Sequence, residues 1–210
     1  QLRPPAHAPE FSRVFAARTC MMAGVGLTGV FLWYLVRFWV YGKAVVLTSA
    51  PLTIPAGFLI AGMAVATLIG AALASWAAGP ISERIEEKNI PVARVVAGAC
   101  LLYAAGLALA WGLGVWSTGT ARENGMLLFA LISGFAFGVY DSLGLELVMD
   151  SLPDPRRAGH DLGIYALANS AGLALAAIIG ALLVNAFEHS FGYYLLFPSA
   201  IVMVLLAGIV

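Results

Sequence analysis

The chain predicts an all-α fold: a polytopic membrane bundle of six transmembrane helices. Three features carry that expectation. Of 210 residues, 61% are hydrophobic and only 10% are charged, where soluble domains are nearer half and a quarter. Mean hydropathy is +0.93. Six apolar runs approach or exceed the roughly 20 residues that a helix needs to cross a bilayer. They are continuous, whereas a membrane β-barrel would alternate in segments of about ten residues.

The expected spans are Thr19–Tyr41, Pro55–Ala78, Arg94–Trp116, Gly125–Met149, Leu162–Phe187 and Tyr193–Val210. Between them lie connectors at Gly42–Ile54, Gly79–Ala93, Ser117–Asn124, Asp150–Asp161 and Glu188–Gly192. Pro55 suits a first helical position, where its missing N–H costs nothing. Asp161 places a negative charge at a helix N-terminus, where the dipole favours it. Small residues recur at four-residue spacing: Gly70, Ala74 and Ala78; Gly134, Gly138 and Ser142; Gly172, Ala176 and Gly180. Such stripes let helices approach closely in lipid and predict a tight bundle. Residues 1–18, polar and proline-rich at their start, read as a cytoplasmic linker ahead of a transmembrane body over 19–210. The last span is cut short at Val210, and the chain begins at Gln1, which reads as a fragment of a longer protein.

Basic residues orient the stack, because Lys and Arg are retained on the cytoplasmic side. Arg3, Arg13, Arg18, Arg84, Lys88, Arg94, Arg156 and Arg157 fall on one side, against Arg37, Lys43 and Arg122 on the other. Both ends of the chain and the connectors at 79–93 and 150–161 are therefore expected in the cytoplasm. Net charge is zero, and charge balance implies no nucleic-acid partner. Cys20 and Cys100 lie in apolar runs and read as small core residues, with no disulfide framework and no metal-ligand spacing. Neither a hydrolase elbow, a zinc-protease motif nor a phosphate loop occurs. No catalytic set, cofactor or enzyme activity is expected.

The polar residues within the spans are the candidates for function. The stretch from Asp150 to Ser170 sets a charged, proline-containing loop between two long apolar runs, then interrupts the second with Asn169 and Ser170. The fourth span carries Asp141 and, nearer its end, Glu146 and Asp150. A carboxylate near the hydrocarbon core is costly and is retained for function or for a partner. Asp141 is the expensive one. It is read either as a coupling or substrate group that binds and releases a proton, or as a structural carboxylate paired with an arginine. Asn169 and Ser170 can hydrogen-bond a polar solute or glue helices together. Tyr140 and Tyr165 flank these positions and could stack on a sugar. Tyr34, in a cluster with Trp33, Arg37 and Trp39, is both a candidate contact and a member of an interfacial aromatic belt.

Two segments resemble a known family. Gly79, Glu83, Arg84 and Lys88 follow the spacing of the loop signature of the major facilitator superfamily, with Glu83 in place of Asp and Glu86 and Glu87 in place of the signature's Gly and Arg. Leu152-Pro153, a charged turn, Gly159, Asp161-Leu162-Gly163 and Asn169 resemble the join between the tenth and eleventh helices of actinobacterial sugar-type members, the glycoside–pentoside–hexuronide and sucrose-transporter-like branch. Phe11 with Arg18 resembles that family's approach to its seventh helix. The resemblance implies the C-terminal six-helix half of a facilitator, built from two inverted three-helix repeats at about 19–116 and 125–210, with the N-terminal half of the same chain missing.

It further implies a secondary transporter moving a small solute, sugar-like in first place, by alternating access in the cytoplasmic membrane, with symport of a proton as a candidate coupling. Arg84, with Glu83 and Lys88, would act as a gating loop, and Asp150 or Asp161 would be partners for Arg84. The alternatives are a multidrug or metabolite exporter of the same superfamily and, in another class, a self-contained six-helix channel or membrane scaffold.

Overall fold

The computed structural model describes residues 9–41, 54–116, 120–150, 158–186 and 189–209. Among them the chain is all-helical, without a strand. In order come α1 (Pro9–Gly29), α2 (Leu32–Leu35), a π turn (Val36–Val40), α3 (Ile54–Lys88), α4 (Val92–Trp116), α5 (Thr120–Asp150), α6 (Ala158–Ala186) and α7 (His189–Ile209). Five of these, α3 to α7, are long and apolar enough to cross a membrane. The outward face of α3 shows Phe58, Leu68 and Trp76, each at least 70% exposed. Apolar surface of that size is the surface of a multi-pass membrane protein.

The expected first span is not one helix. α1 begins at Pro9, ten residues before Thr19, so the segment expected to be a linker is largely helical. Proline at the first position and Glu10 in the first turn suit a helix start. α1 ends with the Val30 N–H donating to the Gly26 carbonyl at 2.9 Å. Phe31 then leaves helical geometry at φ −99°, ψ 7°. The chain resumes as one α turn and a π turn, closed by the Tyr41 N–H on the Val36 carbonyl at 3.3 Å.

The expected connector 79–93 is also mostly helix. α3 runs 35 residues, through Pro80 to Lys88, or about 52 Å at 1.5 Å per residue. That exceeds a hydrocarbon core of about 30 Å. Its charged end is a helical projection rather than a loop. It stops at Asn89, which takes φ 50°. The Asn89 N–H donates to Glu86 at 3.2 Å and the Ile90 N–H to Ile85 at 3.0 Å, the paired bonds of a left-handed C-terminal cap. Pro91 follows, and α4 starts with the Arg94 N–H on the Pro91 carbonyl.

The bundle is ordered by two parallel seams. In one, Gly62 faces Leu127, Gly134 faces Thr67, Gly70 faces the Leu131–Phe135 backbone and Gly138 faces Ala74. Residue numbers rise together, so α3 and α5 run parallel. In the other, Gly172 faces Met22 and Ala23, Gly26 faces Ala176, and Gly180 faces Phe31, so α1 and α6 run parallel too. The predicted small-residue stripes form these contacts. α4 packs against both α5 and α7, and α7 against α1 and α6. Exchanging α1, α3 and α4 for α5, α6 and α7 maps most of this packing order onto itself, except that the α6–α7 contact has no α3–α4 counterpart of like extent. α1 with α6 becomes α5 with α3, α1 with α7 becomes α5 with α4, and the α4–α7 contact maps to itself.

A methyl added at Gly134 would meet Thr67 backbone atoms, which cannot rotate away. Gly134→Ala should lower the free energy of unfolding in detergent by about 1–3 kcal/mol, read as a lower midpoint. Gly163 is helical and exposed, with nothing near its added methyl, so Gly163→Ala should leave the midpoint unchanged or slightly raised.

Candidate functional site

α1, α5 and α6 converge on one guanidinium. Arg18 lies nine residues after the start of α1, Asp141 nine before the end of α5, and Asn169 eleven after the start of α6. At 1.5 Å per residue these are depths of about 14, 14 and 17 Å from one end of the bundle. The three side chains share a layer, and they touch. Arg18 Nη1 is 2.7 Å from Asp141 Oδ1, and its Nε donates to Asn169 Oδ1 at 2.8 Å. The rings of Phe137, Tyr140 and Tyr165 lie 5.6–5.7 Å from the guanidinium carbon, within cation–π range. Local sequence produces the arrangement: Phe137, Tyr140 and Asp141 fall at helical spacing on α5, and Tyr165 and Asn169 are one turn apart on α6.

The two charges are not equally placed. The Arg18 side chain is 9% exposed, and that of Asp141 is 55% exposed. The arginine is inside the bundle, with its charge met by the carboxylate, the amide and three ring faces. The carboxylate stands at its rim. The expected buried Asp141 is therefore corrected to an open one, since the helix turns its outer oxygen away from the core while Arg18 holds the inner one. A carboxylate has about four acceptor sites, and Arg18 takes one side of it, so the rim side offers acceptors to a solute, to water or to a proton.

Beside this cluster lies a cavity of about 170 Å³. Val14 and Ala17 of α1, Val96 of α4, Tyr140 and Leu147 of α5 and Tyr165 of α6 contribute to its wall. It is mainly apolar, and the two tyrosines bring its polar atoms.

Asp141, Asn169 and Tyr140 are thus brought together, along with Tyr165. Ser170 is exposed on α6 outside the contacts of Arg18. Tyr34 belongs elsewhere: its ring stacks on Tyr193 at 6.1 Å, beyond the break in the first span. Of the expected gating contacts, the one between Arg84 and Asp161 is not formed. Glu83, Arg84 and Lys88 are exposed on the end of α3, and among the described residues Arg84 has no ion pair. Asp161 is buried in the first turn of α6, where His160 Nδ1 lies 3.3 Å from its carboxylate. It is a neighbour of His160, not of Arg84. The side chain of Asp150 lies outside the described residues. Among the described residues no group of three His, Cys, Asp or Glu side chains could hold a metal ion.

Arg18 is the residue at the centre of this cluster that sequence reasoning missed. A span drawn from hydropathy stops at a charge, so Arg18 was counted with the linker. The signal that could have found it is Pro9-Glu10, a helix start nine residues upstream.

Bilayer-length helices, close small-residue seams and an ion pair at depth define a multi-pass helical membrane protein with a charged centre in its bundle. No family model, curated protein or solved structure matches the chain.

A double-mutant cycle tests the pair. Asp141→Leu should cost about 2 kcal/mol, less than a fully buried pair because Asp141 is half open. With Arg18→Met the combined loss should fall short of the sum by about 1 kcal/mol or more, read from unfolding midpoints in detergent.

Proposed function

We propose that this chain is the C-terminal six-helix half of a major facilitator secondary transporter, moving a small solute across the cytoplasmic membrane by alternating access. The observation that carries the reading is the Arg18–Asp141–Asn169 cluster at bundle depth, with the carboxylate open at the rim. An anchor or scaffold has no need of it. A charge at the bilayer centre costs about 2.5–3.5 kcal/mol on insertion scales, and such groups line ion or substrate pathways. A half-open carboxylate at that depth needs water or a polar partner, which lipid does not supply.

Helix packing supports the same reading. An inverted repeat requires contacts to have counterparts when the two halves exchange. Exchanging α1, α3 and α4 for α5, α6 and α7 pairs the α1–α6 contact with α3–α5 and the α1–α7 contact with α4–α5, although the α6–α7 contact has no such counterpart. The break at Val30–Phe31 lies within the first span, the kind of interruption that transporter helices carry where backbone lines a cavity. In this reading α1 enters from the cytoplasm, and the Arg18 layer opens toward the missing N-terminal half.

A sugar-like solute suits the Asp141 acceptors flanked by Tyr140 and Tyr165, since hydroxyls donate to the carboxylate and ring faces cover the carbon skeleton. The mainly apolar wall of the 170 Å³ cavity favours, as a second reading, an exporter of an apolar metabolite or drug. Proton coupling would run through Asp141. The helical projection of α3 would carry Arg84 against neighbouring helix ends in one state of the cycle.

Accumulative uptake by the full-length protein in proteoliposomes, with a proton-flux readout, tests the proposal. Asp141→Asn should abolish accumulation. Accumulation that stays pH-dependent in the variant would rule out Asp141 as the coupling group, and a channel would show conductance without accumulation. Arg84→Ala should slow turnover with little change in KM, and unchanged turnover would count against its gating role.

A further inference from the structure

The bundle consists of two groups of helices, α3, α4 and α5 on one side and α1, α6 and α7 on the other. Within each group the contacts are extensive. Between the groups, α4 and α7 share a broad contact, whereas α1 and α5 meet over a short stretch and α5 and α6 pack hardly at all. The side opposite the α4–α7 seam is closed mainly by Arg18, which leaves α1, holds Asn169 of its own group and crosses to Asp141. The 170 Å³ cavity lies next to this crossing and takes its wall from both groups. The groups are therefore joined by apolar packing at one edge and by an ion pair at the other, with unfilled space between.

We infer that Arg18 is a positioning residue: its ion pair with Asp141 latches the α1–α6 pair onto α5, and loss of the Asp141 charge releases the latch and opens the cavity between the two groups. This deepens the transport reading and rests on it for its use. The latch itself follows from packing.

The physical basis is an asymmetry of restoring forces. At the α4–α7 edge the contact is side-chain packing over several turns, indifferent to charge. At the α1–α5 edge the attraction is Coulombic, screened in part on the open side of Asp141 and less at the buried Arg18. When the Asp141 charge is removed, the charged hydrogen bond becomes an ordinary one, roughly half as strong. Asn169 and Tyr165 belong to the same group as Arg18, so the guanidinium keeps an amide oxygen and one ring face when Asp141 lets go, while Phe137 and Tyr140 move with α5.

Among the described residues, the other titratable groups near this centre are Tyr165 of α6, which faces Asp141, and Tyr140 with Cys100 of α4 behind it. The charges of α3 lie at 83–88, past the level where Ala74 meets Gly138. Glu146 is exposed further along α5, and His160 with Asp161 sits at the start of α6.

Spin labels at Ala16→Cys of α1 and Glu146→Cys of α5, both exposed positions, report the gap. Cys20 and Cys100 are replaced by alanine, and the protein is reconstituted in lipid nanodiscs. At neutral pH a single narrow distance distribution is expected. Asp141→Asn should lengthen the mean by about 3 Å or more, or split the distribution, because it mimics the uncharged acid. Asp141→Glu, which keeps the charge, should keep the narrow distribution, and His160→Gln, at a residue outside the pair, should leave it unchanged.

An Asp141→Asn distribution that superimposes on the original overturns the latch, and so does an Arg18→Gln distribution that superimposes on it, since each variant removes the ion pair from a different helix. Uptake that fails in the unmutated protein while both variants lengthen the distance removes the transport reading alone, and uptake with no lengthening in either variant removes the latch alone.

Discussion

A guanidinium held about 14 Å inside a helical bundle must be neutralised where it stands, and that requirement organises the structure. Arg18 cannot deprotonate to escape the cost, and at 9% exposure it cannot reach past the helix ends to water. Its partners therefore have to come to it. Asp141 supplies the opposite charge from α5, Asn169 an amide oxygen from α6, and Phe137, Tyr140 and Tyr165 their ring faces. Each partner fixes the rotation of its helix. Three helices are held in register by one side chain, at a level where the hydrophobic effect gives them no preference for each other over lipid.

Close packing supplies what the ion pair does not. Gly70 and Gly134 let α3 and α5 approach until backbone meets backbone, and Gly172 does the same for α6 against α1. Dispersion contacts are weak singly and add up only where surfaces fit. A glycine stripe is a surface that fits. The two seams run parallel, so each joins helices far apart in the chain, and the short connections between successive spans join helices that run in opposite senses. The bundle is thereby assembled from two long pairings with α4 and α7 filling between them.

Much of this fold could be read from the sequence, because lipid selects for apolar runs and runs are visible. α4, α6 and α7 fall close to their expected positions for that reason. The errors have one cause. Hydropathy marks where the lipid is, and a helix continues for as long as its backbone bonds do. The ten residues from Gly79 to Lys88 left the apolar run but not the helix, and Thr120–Asn124 did so at the start of α5. At α1 the same confusion hid the centre of the polar cluster, because a charge was taken to end the span. Asp141 and Asn169 stood out as polar atoms in apolar surroundings. Their meeting at Arg18 did not, since a stripe of small residues announces a close approach without naming the partner helix.

The cap at Asn89 has a mechanical corollary. Because α3 remains one rod to Lys88, and because its seam with α5 last closes at Ala74, the rod pivots there. From Ala74 to Lys88 is fourteen residues, an arm of about 21 Å on which Ile81 and Ile85 still rest against the core. A tilt of roughly 10° at the pivot would sweep the tip through about 4 Å, so a small rotation at the seam arrives enlarged at the charged end. α3 is a pointer, and Glu83, Arg84 and Lys88 are the mark at its tip.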